Sequence, residues 1–244
     1  MPDLTPPPRA LKRIGHKGAD LIAPGNTLAS FDAALEAGVD MVEFDVLPED
    51  RDGSGRLVLA HDYGVVDRGH ALTLEEGLAH FSQDAWAGVE LNVDMKLGGY
   101  ERRVVDALRE HGLADRALIS TMEEDSLGVV RLAGPEIRLG WSVPKIRRNP
   151  LSSRWTRLPA MLLAQYARRI LPGRATSAIR DGRIDALMCH WALVSGRLVT
   201  AIEEAGGELY VWTVDDAERI AKLERLGVTG IITNDPRLFG PAPA

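Results

Sequence analysis

Six titratable side chains stand at the ends of short apolar runs in the first half of the sequence. They are His16, Glu43, Asp45, His61, Asp94 and Lys96. Glu43 and Asp45 are two residues apart, so on a β-strand both side chains point to the same face, about 6.6 Å apart. Two carboxylates on one buried face repel each other and are costly to ionise unless a positive charge lies between them.

A hard divalent cation would remove this repulsion, because Mg2+ and Ca2+ prefer carboxylate oxygens as ligands. Asp94 can supply a third oxygen from a neighbouring strand, and Lys96 on the same face would lie near an anion bound there. Each residue alone has a simpler interpretation as a solvated, capping or structural side chain. The joint pattern of two histidines, three acids and one lysine is hard to obtain from solvation alone. It therefore predicts metal-assisted chemistry on an anionic substrate.

The elements that must position these side chains are short β-rich runs that alternate with segments of helical period. The candidate strands are 13–16, 41–46, 57–61, 89–95, 117–121, 137–143, 185–191, 208–214 and 230–233. The candidate helices are 28–37, 100–110, 124–132, 158–170, 196–205 and 217–226. This alternation predicts the α/β class and a single (β/α)8 TIM-type barrel, whose active site lies at the C-terminal ends of the strands.

The predicted barrel domain covers residues 13–240 and follows an extended leader at residues 1–12. The run at 57–61 is an extra strand after the second strand of the barrel. The formal charge of −6 argues against a nucleic-acid partner. Cys189 is the single cysteine, so no internal disulfide is expected, and no stretch approaches the roughly 20 apolar residues of a membrane span. These features predict a cytoplasmic protein.

A basic segment at residues 145–174 leaves membrane association open. Residues 137–180 contain ten Lys or Arg and no Asp or Glu. Arg147, Arg148 and Trp155 lie beside an apolar helix, a combination that anionic lipid surfaces attract. We expect this segment either to contact a membrane or lysophospholipid, or to be an ordinary barrel helix with a solvated basic face. Trp212, on a later strand, is a candidate wall of the pocket.

The order of motifs makes the chain recognisable at the level of a family. GHKGADLIAPGNTLASFDAALEAGVDMVEFDV followed by LVLAHD resembles the opening of the glycerophosphodiester phosphodiesterases. VDMK (93–96), ISTM (119–122), YVWTVDD (210–216) and GIITNDP (230–236) look like later motifs of that family. The resemblance implies a TIM barrel that hydrolyses glycerophosphodiesters to sn-glycerol 3-phosphate and an alcohol with Mg2+ or Ca2+.

Residue by residue, the resemblance implies that Glu43 and Asp45 are metal ligands. Asp94 stands where the third ligand of the family is usually Glu. His16 and His61 match the general acid–base pair, and histidine suits both roles because its unperturbed pKa is about 6.5. We assign His16 as the base and His61 as the acid, with the reverse assignment left open.

Three departures from the family pattern surround the expected phosphate site. Lys17 stands where an Arg usually contacts the phosphate, so it keeps the charge but loses the planar fork. Lys96 matches a lysine of the pattern. Gly25 replaces the Glu of the usual Pro-Glu-Asn-Thr turn, and Asp94 is one methylene shorter than Glu. The segment from His61 to Asp94 is shorter than the usual family insertion, which predicts a more open site.

Other functions stay open beside the first one. A lysophospholipase D or sphingomyelinase D-like reaction would use the same barrel chemistry, although the single cysteine weighs against the disulfide-linked secreted forms of the latter. A catalytically inactive phosphodiester-binding barrel is the alternative from another class. A glycosidase is disfavoured because Glu43 and Asp45 are adjacent on one strand, whereas glycosidases place two carboxyls on opposite sides of a bond.

Overall fold

A computed structural model describes residues 10–145 and 154–240, with the backbone alone for residues 154–164. Within these ranges the chain forms nine strands. They are β1 (Lys12–Gly15), β2 (Met41–Pro48), β3 (Leu57–Val58), β4 (Glu90–Met95), β5 (Ala117–Thr121), β6 (Arg138–Val143), β7 (Ala186–His190), β8 (Glu208–Trp212) and β9 (Gly230–Thr233). The predicted leader at residues 1–12 lies mostly outside the described residues, and β1 begins at Lys12.

Eight parallel strands close into a barrel in the order β1-β9-β8-β7-β6-β5-β4-β2, with β1 paired to β2. The predicted (β/α)8 barrel is therefore confirmed. The extra strand β3 pairs antiparallel with the end of β2. It is shorter than the predicted run at 57–61, so His61 lies in the connection that follows it.

The helices of the described residues pack around the outside of the barrel. They are α1 (Leu28–Glu36), α2 (Tyr63–Val66), α3 (Leu74–Phe81), α4 (Glu101–Glu110), α5 (Glu124–Ala133), α6 (Arg154–Arg180), α7 (Gly196–Glu204) and α8 (Ala217–Leu226). Each helix of this part of the chain is too short or too polar to cross a lipid bilayer.

Three of the described helices differ from the sequence prediction. The short helix α2 and the helix α3 were not predicted, although Thr73 and Glu76 form a reciprocal capping box at the start of α3. α6 was predicted at 158–170 but runs on to Arg180 through Pro172, which removes a backbone donor. The buried side chains of Leu171 and Ala175 pack in the outer core, and this burial stabilises the longer helix.

The alternation of side chains along β2 separates two cores. Val42, Phe44 and Val46 belong to the outer core between strands and helices, where the ring of Phe44 stacks 5.2 Å from that of Phe81. The residues between them, Glu43 and Asp45, therefore face the barrel interior. A separate interior cluster fills the barrel with Ile14, Met41, Leu118, Ala186, Met188, Tyr210 and Ile232.

An ion-pair network crosses the end of the barrel where the strands begin. Glu90 accepts from Lys12 Nζ at 2.6 Å and also pairs with Arg138, which lies 3.1 Å from Glu208. The hydroxyl of Tyr210 donates to Glu208 at 3.1 Å. Burial raises the pKa of Glu90, but Lys12 and Arg138 outweigh it and leave that pKa below its ordinary value. This end of the barrel is thus closed by paired charges.

Candidate active site

Three carboxylates meet inside the barrel at the C-terminal ends of two adjacent strands. Oxygen atoms of Glu43, Asp45 and Asp94 all lie within 4.8 Å of one another. The register brings them together, because Asp45 of β2 is directly opposite Asp94 of β4. Glu43 and Asp45 are buried, and the side chain of Asp94 is only 13% exposed. The structure therefore assembles the predicted carboxylate set at one point.

Asn26 fixes the orientation of Asp45 through two hydrogen bonds. Its side-chain nitrogen donates to Asp45 Oδ2 at 2.9 Å, and its side-chain oxygen accepts from the Asp45 backbone N–H at 3.1 Å. Asn26 has a positive φ of 59°, a conformation that Asn tolerates better than most residues. The turn before α1 therefore holds Asn26 in an uncommon backbone conformation while its amide binds the buried carboxylate of Asp45.

Ser120 holds Asp94 in a similar way from the next strand. The Ser120 hydroxyl donates to Asp94 Oδ1 at 2.8 Å, and Asn92 donates to the Ser120 oxygen at 2.9 Å. Asp94 and Ser120 are direct partners in the β4–β5 register. One oxygen of Asp94 is therefore fixed by the barrel itself, and the other faces the cluster.

Lys96 places an ammonium group between two of the carboxylates. Its Nζ lies 2.5 Å from Asp45 Oδ1 and contacts Asp94 Oδ2. The contact with Asp45 is an ion pair without good hydrogen-bond direction, so the buried Asp45 Oδ1 has a positive neighbour but no well-directed donor among the described residues. Burial lowers the pKa of Lys96, but Asp94 and Asp45 outweigh it and raise that pKa, so the amine stays charged.

The cluster separates the pKa values of its two β2 carboxyls. Burial and the neighbouring Asp45 raise the pKa of Glu43 well above its ordinary value. Burial raises the pKa of Asp45 as well, but Lys96 and His16 outweigh it and bring that pKa to about 2. In the absence of a cation, Asp45 carries the negative charge and Glu43 retains a proton more readily.

His16 follows β1 and lies beside the carboxylates. Its Nε2 is 3.8 Å from Glu43 Oε2, and its Nδ1 is 2.5 Å from the side-chain oxygen of Asn234. Burial lowers the pKa of His16, although Asp45 and Asn234 act in the opposite direction. A neutral imidazole next to the cluster can accept a proton.

His61 occupies a different environment from His16. Its side chain is 54% exposed, and its Nδ1 lies 3.4 Å from Asp62 Oδ2. Asp62 is itself fixed, because its other oxygen caps α2 by accepting from the backbone of Gly64 at 2.8 Å. His61 is near enough to the cluster to lower the pKa of Asp45. It therefore stands at the mouth of the barrel, where water can exchange its protons.

Lys17 lies beside the cluster but pairs with a neighbour. Its backbone N–H donates to Glu43 Oε2 at 2.9 Å, and its Nζ lies 3.3 Å from Asp20 Oδ2. Asp20 also accepts from the backbone of Gly25 at 2.8 Å. A Cβ on Gly25 would lie 2.6 Å from Asp20 Oδ1, so Gly25 leaves room for this carboxylate. Asp20 thus brings a negative charge to the turn where Gly25 stands in place of the family's Glu.

The other predicted pocket residues fall into two groups. Trp212 ends β8 and packs on the interior cluster, and its indole Nε1 is a buried donor with no partner among the described residues. Arg147 and Arg148 lie outside the described residues, and Trp155 lies in the part of α6 described by its backbone alone. Of the basic segment 145–174, Lys145 pairs with Glu123 at 2.6 Å.

The residues present fit a divalent cation. Three carboxylates offer hard oxygen ligands within a small space, and the buried Asp45 Oδ1 accepts no well-directed hydrogen bond from the described residues. Asn26 and Ser120 hold two of the three carboxylates from outside the cluster, as residues behind a metal site usually do. The ammonium group of Lys96 provides part of the positive charge that these carboxylates require.

Sequence reasoning missed four residues that shape this site: Asn26, Ser120, Asp215 and Asn234. Asp215 accepts hydrogen bonds from the side chain and the backbone of Asn234. All four lie inside sequence motifs noted above, but no role was assigned to them. The local sequence gave one indication of such a role, which is the polar residue Ser120 inside a mostly apolar strand.

The comparisons with known proteins identify the family of the chain. The sequence model of the glycerophosphoryl diester phosphodiesterase family matches residues 16–76 and 65–238. A glycerophosphodiester phosphodiesterase of Caldanaerobacter subterraneus subsp. tengcongensis is 26% identical, over 91% of this chain and 93% of the relative.

Two solved structures share the fold. A glycerophosphodiester phosphodiesterase of Agrobacterium tumefaciens superposes with a TM-score of 0.69 at 19% identity, covering 94% of this chain and 99% of the other. An Oleispira antarctica phosphodiesterase, solved with the product sn-glycerol 3-phosphate, gives a TM-score of 0.69 at 22% identity, covering 94% of each chain. Because the family match spans nearly the whole barrel, the chain belongs to the glycerophosphoryl diester phosphodiesterase family, a family of phosphoric diester hydrolases.

Proposed function

We propose that this chain hydrolyses glycerophosphodiesters to sn-glycerol 3-phosphate and an alcohol with the help of Mg2+ or Ca2+. The observation that carries the proposal is the cluster of Glu43, Asp45 and Asp94 within 4.8 Å, with His16 Nε2 at 3.8 Å from Glu43. The three carboxylates would hold the cation. When bound, it would polarise a phosphoryl oxygen and stabilise the charge that develops there.

The chain's own residues supply the proton transfers and the grip on the anion. His16 takes the proton of the attacking hydroxyl, which is that of water or of the substrate's own glycerol. Attack by the glycerol hydroxyl gives a cyclic phosphate, which water then opens to glycerol 3-phosphate. His61, exposed at the mouth, gives a proton to the leaving alcohol and recovers it from solvent. Lys17 and Lys96 bring positive charge to the phosphate, and Trp212 offers an unpaired N–H from the wall of the pocket.

Release of glycerol 3-phosphate from glycerophosphocholine and glycerophosphoethanolamine, each with Mg2+, Ca2+ or EDTA, tests the proposal. We expect turnover that requires the metal and that Glu43→Gln lowers on the order of 1,000-fold. Glu110→Gln changes an exposed carboxylate at the end of α4 and serves as the matched control with wild-type turnover. Folded wild-type protein that hydrolyses neither diester with either metal would favour the inactive phosphodiester-binding barrel.

A lysophospholipid joins the same panel as the second candidate substrate. The basic composition of residues 145–174 favours it, because anionic headgroups attract Lys and Arg mixed with aromatic side chains. Preferential hydrolysis of the lysophospholipid, together with sedimentation of the protein on anionic vesicles, would support the lipid reaction and the membrane contact. Sedimentation that is equal with neutral vesicles, or absent, would leave an ordinary barrel helix as the interpretation of this segment.

A further inference from the structure

A chain of hydrogen bonds runs from the rim of the barrel to the buried ring of His16. Asp215, in the connection after β8, accepts from the side-chain nitrogen of Asn234 at 2.7 Å and from its backbone N–H at 2.8 Å. The Thr233 hydroxyl donates to the same carboxylate at 3.0 Å. On its other side, the side-chain oxygen of Asn234 lies 2.5 Å from His16 Nδ1.

The chemistry of these groups decides where the imidazole proton lies. An ionised carboxylate only accepts hydrogen bonds, so the amide nitrogen of Asn234 must face Asp215. The amide oxygen then faces His16, and because this oxygen also only accepts, Nδ1 must carry the hydrogen. In the neutral ring the lone pair is left on Nε2, the atom that lies 3.8 Å from Glu43 Oε2.

We propose that Asp215 and Asn234 are positioning residues that hold His16 as the Nδ1–H tautomer, with the lone pair of Nε2 directed at the carboxylate cluster. The inference rests on the proposed function and deepens it, because it names the two residues that hold His16 ready to act as the general base. The attacking hydroxyl oxygen forms a bond to phosphorus while its proton moves to Nε2. The bond from phosphorus to the alcohol oxygen breaks, and that oxygen keeps the electron pair and receives a proton from His61.

A purely structural role for the two residues is the competing explanation. Asp215 also ties the turn after β9 to the connection after β8, through the backbone of Asn234 and the hydroxyl of Thr233. The backbone N–H of His16 donates to the carbonyl of Thr233 at 2.8 Å, so this turn supports β1 as well. A loss of stability alone would therefore not distinguish the two explanations. The state of the imidazole ring does.

Two-dimensional NMR of the 15N-labelled imidazole, recorded without substrate, measures that state directly. We expect the hydrogen of His16 on Nδ1 in the wild type and in Asn234→Asp, where a carboxylate oxygen still accepts it and the exposed Asp215 can turn into water. Asn234→Leu removes the acceptor, and Asp215→Ala frees the amide to turn its nitrogen towards the ring. Both variants should lose the single tautomer.

The kinetic readout accompanies the spectrum. In Asn234→Leu and Asp215→Ala, kcat for glycerophosphocholine should fall on the order of 10- to 100-fold, part of the 100- to 10,000-fold that proton transfer contributes, while KM stays within about 3-fold. Asp216→Asn is the matched control, because Asp216 caps α8 by accepting from the backbone N–H of Arg219 and Asn keeps an acceptor there. This variant should leave the tautomer of His16 and kcat unchanged.

A wild-type ring with its hydrogen on Nε2 would overturn the inference, as would Asn234→Leu with an unchanged ring and unchanged kcat. The spectrum needs no turnover, so the two proposals fail separately. Inactive protein with the hydrogen on Nδ1 would refute the hydrolysis and leave the positioning of His16 supported. Active protein with the hydrogen on Nε2 would support the hydrolysis and refute the positioning.

Discussion

Replacing Lys96 with Met should make the stability of the barrel depend on a divalent cation. Lys96 Nζ contacts Asp45 and Asp94, and its side chain is only 21% exposed. Removing one partner of a buried ion pair lowers the free energy of unfolding by about 3–5 kcal/mol. We take the lower end, because the raised pKa of Glu43 lets it keep a proton and so reduces the negative charge left unpaired. For a chain of this length about 3 kcal/mol corresponds to a fall in Tm of about 6–12 °C in EDTA.

Mg2+ should restore much of this loss, because the cation supplies the positive charge that Lys96 no longer provides. Lys12→Met is the matched control: Lys12 is also 21% exposed and pairs with Glu90 at 2.6 Å, but at the opposite end of the barrel. Differential scanning fluorimetry in EDTA and in Mg2+ measures both variants. If Mg2+ raises the Tm of Lys96→Met no more than that of Lys12→Met, the cation does not replace the charge that Lys96 supplies to the carboxylates.

Three further predictions follow from the contacts around the site and the barrel end. Ser120→Ala leaves Asp94 without its 2.8 Å donor and should weaken Mg2+ binding roughly 10-fold in calorimetry; unchanged affinity would deny Ser120 a role in holding the ligand. Asn26→Gly loses two hydrogen bonds to Asp45 and should cost about 2 kcal/mol in urea unfolding. Asn26→Ala should lower the free energy of unfolding by about 1 kcal/mol more than Asn26→Gly, because alanine must also adopt the positive φ of this position. Equal losses in the two variants would contradict that argument. The pKa of Glu90 is lower in the folded protein than in the unfolded chain, where it is about 4.3. Ionised Glu90 therefore stabilises the fold at pH values above about 4.3, and this stabilisation is lost as the pH falls through the folded-state pKa. The Tm of the wild type should therefore fall more steeply below about pH 4.3 than that of Glu90→Gln, and parallel curves would count against it.

The barrel and its carboxylate cluster could be predicted because both depend on period and register. Alternation along β2 sends Glu43 and Asp45 to one face, and parallel strands bring their C-terminal ends to one rim. The residues that orient the cluster could not be predicted in this way. Asn26 and Asn234 lie in connections, where an asparagine usually serves a turn, and their partners are 19 and 218 residues away in sequence.

Short helices and local ion pairs were also difficult to predict from the sequence. The helix α3 spans eight residues, and its capping box is visible in the sequence only once the helix itself is suspected. Lys17 illustrates a different limit, because its charge was predictable while its partner was not. The 3.3 Å contact with Asp20 depends on the missing side chain at Gly25, two features that a linear pattern does not connect.

The ion pairs at the end of the barrel where the strands begin have a consequence for how substrate and products would pass. Apolar side chains around Met41 and Tyr210 fill the interior beneath the carboxylates, and the ion pairs of Glu90 cross the far end. For the proposed hydrolysis, this leaves one opening, at the C-terminal ends of the strands, through which substrate would enter and both products would depart. Under the proposed hydrolysis, sn-glycerol 3-phosphate would therefore compete with the next substrate for the same entrance and the same carboxylates.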